Sequence, residues 1–100
     1  MAFRINFSKV ISQADSIAND ANDLATQIKL LSQLEQEVRS SWKGLASDVF
    51  IQRLETLKAN IEQTKNQMSR LSSTIKYCAE KIQREDEEAN KRAMALKSAY

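Results

Sequence analysis

Proline is missing from this sequence, histidine is missing too, and glycine occurs once; each absence removes a class of protein. Turns rely on Gly and Pro as punctuation, so a 100-residue chain with a single Gly has little room for a many-turned fold. Without histidine the commonest general base and metal ligand is gone. One Gly cannot build a phosphate-cradling loop. Cys78 is the only cysteine, so no intrachain disulfide forms, and it has neither a His to activate it nor a second Cys for a metal site. No run approaches the roughly 20 apolar residues of a membrane-spanning helix. Met1 to Phe7 carries one Arg and no apolar core long enough for a signal peptide. The expectation is a chain with no catalysis, cofactor or metal of its own, no stable membrane insertion, and no Sec route if it leaves the cell.

Charge is nearly balanced, 15 basic against 13 acidic residues, so electrostatics select no partner class. Lys29, Lys58, Lys65, Lys76 and Lys81 alternate with acids, which reads as a solvated helix surface rather than a nucleic-acid face. The acidic run Glu85-Asp86-Glu87-Glu88 has no turn-forming Gly to make its carboxylates converge as in a calcium loop, so it reads as a solvated patch.

What is present is helix. The composition is rich in Ala, Leu, Glu, Lys, Gln and Ser. Apolar residues recur at spacings of four and three through Val10, Ala14, Ile17, Ala21, Leu24, Ile28, Leu31 and Val38, with Glu35 interrupting. Ile11, Ala18, Ala25, Leu30 and Leu34 widen this stripe, which implies burial against more than one neighbour. A second stripe runs through Phe50, Leu54, Leu57, Ile61, Thr64, Met68, Leu71, Ile75, Cys78, Ile82 and Ala89, and it assigns Cys78 to a core. Between them lies Ser40-Ser41-Trp42-Lys43-Gly44-Leu45, where a helix ends at the only Gly.

Helix one is expected over about 8–40, the turn over 41–45 and helix two over about 46–97, in one domain. The short connection makes the helices antiparallel neighbours, pairing positions whose numbers sum to roughly 88–89. Ile17, Leu24, Ile28, Leu31, Leu57, Ile61, Met68 and Leu71 are the expected core, shared between hairpin and dimer. Helix one runs out near Ile82, so residues 83–100 project beyond the hairpin. Two helices alone seldom bury enough surface, and the fold class is therefore all-α: an antiparallel hairpin dimerising into a four-helix bundle.

The break carries a specific pattern. Trp42-Lys43-Gly44-Leu45-Ala46-Ser47-Asp48-Val49-Phe50 reads W-x-G-x-A-x-x-x-F near the midpoint of a Pro-free helical chain. Trp42 can fold over the hairpin end, Gly44 lets the backbone reverse, Ala46 keeps the helices close and Phe50 starts the second stripe. In this element, and in length and heptads, the chain resembles the WXG family of small ESAT-like substrates of bacterial type VII secretion, known in actinobacteria and firmicutes. The resemblance implies secretion without a Sec signal from a bacterial cytoplasm, Gram-positive, by a machinery with an export ATPase. It implies pairing with a second copy or a related WXG-type chain. The family's C-terminal Y-x-x-x-[DE] export element fits imperfectly: Tyr77 is followed by Lys81, and the better alignment is Ile82-Gln83-Arg84-Glu85-Asp86, with Ile82 in place of Tyr and Asp86 as the acid. Two readings follow: an exported dimer acting through protein contacts, or an adaptor hairpin escorting the helical N-terminal region of a larger toxin.

Overall fold

The computed structural model describes residues 6–99; residues 1–5, most of the segment read for a signal peptide, lie outside them. Two helices account for nearly all of the described chain: α1 (Phe7–Ser41, 35 residues) and α2 (Leu45–Ala99, 55 residues). They pack antiparallel into a rod of 85 × 15 × 15 Å. Among the described residues no helix is long and apolar enough to cross a membrane.

Local chemistry sets the ends. Asn6 caps α1, its side-chain oxygen accepting from the Lys9 amide at 3.1 Å, which satisfies one of the orphan donors of the first turn. At the other end the Trp42 amide donates to the Val38 carbonyl at 2.8 Å. The Lys43 ammonium donates to the Arg39 carbonyl at 3.0 Å, and the Ser40 hydroxyl to the Glu37 carbonyl at 3.0 Å. Cationic Arg39 in the last turn suits the negative end of the helix dipole.

Gly44 acts differently from the sequence expectation. It does not terminate α1, whose cap is Trp42 in extended backbone at φ −129° and ψ 122°. Instead Gly44 opens α2: its carbonyl accepts from the Asp48 amide at 3.2 Å and from the Ser47 hydroxyl at 2.8 Å. Its φ of +120°, the only positive value among the described residues, is a conformation that a side chain disfavours. Asp48 then complements the positive end of α2.

Small residues set the contact between the helices. Ala14 and Ala21 on α1, with Ser72 and Ala79 on α2, are buried, and the Ser72 hydroxyl donates across the interface to the Ala14 carbonyl at 2.7 Å. Ser72 with Ala14, Lys76 with Asp15 and Lys58 with Glu35 have numbers summing to 86, 91 and 93, bracketing the antiparallel register read from the stripes. Ile51 and Leu54 complete the buried apolar set. No large side chain among the described residues is fully buried. The hairpin is held by a thin contact, and much apolar surface stays outside it.

Candidate interaction surface

α2 exceeds α1 by 20 residues, 55 against 35, so the two ends of the rod differ. At the closed end Trp42 packs on Phe50, ring centroids 5.9 Å apart and planes tilted by 53°. The pair braces the turn, yet neither ring is enclosed: Trp42 is 45% exposed and Phe50 40%. Beside it Arg39, Trp42, Lys43, Gly44, Ser47, Asp48 and Ile51 line a cleft of about 170 Å³. Ala46, expected to hold the helices together, faces solvent; the neighbouring Ser47 is the buried residue, one turn before Ile51 on the α2 face turned to α1, and its hydroxyl donates to the Gly44 carbonyl.

Along the rod the eight expected core residues divide. Ile17, Leu24, Ile28, Leu31, Ile61 and Met68 are half-buried, while Leu57 and Leu71 are exposed, at 47% and 51%. Cys78, assigned to the core by its spacing, is also exposed. The reason is geometric. The α2 face that meets α1 is the row Ile51, Leu54, Lys58, Ile61, Lys65, Met68, Ser72, Ile75 and Ala79, and Leu57, Leu71 and Cys78 lie one position to its side. Two apolar grooves result, one lined by Leu31, Leu34, Phe50, Leu54 and Leu57 (about 370 Å³), the other by Val10, Ile75, Cys78 and Ile82 (about 290 Å³).

Within the buried row sits a feature that the periodicity registers only as an interruption. Glu35, buried on α1, receives the Lys58 ammonium of α2 at 3.0 Å and the Arg39 guanidinium at 3.4 Å; Lys58 also reaches Glu55 at 3.1 Å. The Glu55 carboxyl and the Lys58 ammonium, as hydrogen-bond partners, hold the Glu35 carboxyl below its ordinary range, against desolvation that raises it. Glu35 first and Glu55 second push the Lys58 ammonium above its ordinary range. The signal that could have revealed the pair is the acid interrupting the first stripe, with Lys58 beside the second stripe at matching register.

At the open end Ile82 is half-buried in its groove and Asp86, one turn further, is exposed. From Arg84 to Ser98 every residue is exposed, Met94 and Leu96 included. No cluster of His, Cys, Asp or Glu among the described residues could hold a metal ion.

A signature turn in the middle of a long two-helix rod, with apolar grooves along its side, defines an all-α helical hairpin. The sequence matches the family model described as WXG100, proteins of 100 residues with WXG, over residues 2–87, and the chain belongs to that family. Its members are small helical proteins secreted by type VII systems without signal peptides, and they are not known as enzymes. No curated protein and no solved structure matches the chain.

Proposed function

We propose that the protein is a type VII secretion substrate that travels as a helical dimer, with itself or with a related WXG-type chain, and acts through protein contacts with no chemistry of its own. The observation that carries this reading is the line of exposed apolar residues on α2, Phe50, Leu57, Leu71 and Cys78, beside half-buried neighbours on both helices. Burying one Leu side chain contributes about 1.5–3 kcal/mol, so a partner on this line gains several such increments that the lone hairpin forgoes. The export ATPase would read the open end, where Ile82 and Asp86 share one helix face, and a Gram-positive cell is the expected source. The test is paired: sedimentation equilibrium of wild type and Leu71→Glu, and secretion from cells with and without the type VII ATPase. A monomeric wild type, or secretion that ignores the ATPase, would sink the reading.

A second reading has its own support. The exposed Met94 and Leu96 extend past the described residues of α1, and Tyr77 lacks the acid four residues on. Both features suit an adaptor hairpin that docks the helical N-terminal region of a larger toxin. Stoichiometric co-purification with such a region, at the expense of the homodimer, would favour it.

A further inference from the structure

Past the half-buried Gln83, α2 runs on to Ala99 beyond the start of α1 at Phe7. The face that α2 turns to α1 does not stop there. Ile82, Asp86, Ala89, Ala93 and Leu96 keep its four-and-three spacing, so the same face continues with no described helix on it. Ala89 and Ala93 are exposed, and Leu96 is 61% exposed. The charges of this stretch are sorted by sign. Glu85, Asp86, Glu87 and Glu88 come first, Lys91 and Arg92 follow, and among the described residues none of the six is in an ion pair.

The apolar and the charged pattern are both centred on Ala89. Ile82 and Leu96 lie seven residues to either side of it, and the middles of the acidic run and of the basic pair are equally far from it. Such a segment complements its own reverse. Laid antiparallel about Ala89, two copies set Ile82 against Leu96, Arg92 beside Glu85 and Asp86, and Lys91 beside Glu87, with each contact made twice by the two-fold symmetry. The small side chain at the axis lets the helices approach closely. Parallel pairing would lay acid on acid and base on base, and like charges brought together repel.

We propose that two copies of this chain join end to end, the projecting tails from Ile82 to Ala99 pairing antiparallel with Ala89 at the two-fold axis. The contact uses the open ends of the rods and not the exposed line from Phe50 to Cys78, so it does not rest on the dimer reading above. Two short segments bury little apolar surface, so the contact is weak singly and shows at high protein concentration. It covers Ile82 and Asp86, and an end paired in this way is closed to any other reader of those residues.

Disulfide trapping in the full chain, with Cys78→Ser as the background, tests it. Under mild oxidation Ala89→Cys should form a covalent dimer several-fold faster than Ser98→Cys. In the antiparallel register the two copies of residue 98 stand about 27 Å apart along the axis at 1.5 Å per residue, beyond disulfide reach. Equal rates at the two positions mean chance collision or parallel tails and overturn the proposal. No link at position 89, even at the highest soluble concentration, leaves the face to a different partner and also overturns it. Charge reversal decides the direction of pairing. On the Ala89→Cys chain, Glu85→Arg alone and Arg92→Glu alone should each slow linking several-fold at low salt. The two changes together should restore the rate, because each swapped residue then meets its complement on the other copy. Failure of the double change to restore linking overturns the antiparallel register.

Discussion

Glu35 and Lys58 form a 3.0 Å ion pair across the two helices, on a face where the other buried residues are small or aliphatic. Buried charge of this kind is weak evidence of stability, because desolvation offsets much of the attraction. Its effect here is on alignment. A slip of α2 by one heptad in one direction would set Glu35 opposite Ile51, a buried aliphatic, and leave the carboxylate without its cation. The opposite slip would bring up Lys65, already paired to Glu62 at 2.8 Å, and the short turn between the helices has no spare length for it. The Glu35–Lys58–Glu55 set and the turn together favour one register.

The pair makes stability depend on pH at both extremes. Glu35 is held below its ordinary value of 4.5, so its contribution is complete above that value and is lost as pH falls through the lower folded value. Lys58 is raised above 10.5, so its contribution is complete below that value and disappears as pH rises through the higher folded one. Melting curves across pH should show both limbs, and Glu35→Gln should flatten them. An unchanged acid limb in that variant would exclude Glu35 as its source.

Gly44→Ala should destabilise the hairpin by about 1–3 kcal/mol, the range for a non-Gly residue held in a sparsely populated backbone region. The added methyl meets nothing within 4 Å, so the whole cost is backbone strain at φ +120°. Urea denaturation followed by circular dichroism measures it. A loss near zero would mean that the turn relaxes to negative φ.

Trp42→Ala should cost less than the ~3–5 kcal/mol of a core aromatic, because the indole is 45% exposed and its main intrachain partner is the Phe50 ring. Its larger effect should fall on export. Secretion at wild-type level with a strongly lowered melting temperature would reverse that assignment and make the indole a purely structural brace.

Ala14→Leu should destabilise by about 1–3 kcal/mol through overpacking. Ala14 is fully buried where the Ser72 hydroxyl touches its carbonyl, and a larger side chain must push the helices apart at that point. The same change at exposed Ala46 should be close to neutral, and comparing the two melting temperatures checks the contrast.

Much of this fold is legible in the sequence. Two long stripes of four-and-three spacing, one Gly and no Pro leave a two-helix chain as the simple solution, and the W-x-G element marks the reversal. The roles of individual residues are less legible. Periodicity identifies which residues are apolar but not which neighbour covers them. A stripe wide enough for two interfaces therefore assigns Leu57, Leu71 and Cys78 to a core that the hairpin alone does not provide. Gly commonly ends helices, so the sequence points to Gly44 as the end of α1, yet Trp42 performs that role and Gly44 starts α2. Ala46 and Ser47 exchange roles because Ser47 shares the inward face of α2 with Ile51 and Leu54, and its bond to the Gly44 carbonyl satisfies the hydroxyl there.

Deleting residues 84–100 should leave the hairpin's melting temperature almost unchanged, since residues 84–98 all lie in solvent. Export or partner binding should be lost, and Ile82→Ala and Asp86→Ala should each weaken the same step. Normal secretion of the truncated chain would remove the open end from the recognition reading.

The rod itself changes how the molecule moves. Its radius of gyration is 23.5 Å, against about 13 Å for a compact chain of 100 residues. Friction follows extension rather than mass, so even a single copy diffuses slowly, elutes from a sizing column like a much heavier globule and tumbles faster about its long axis than across it. Elution volume alone would count one hairpin as two.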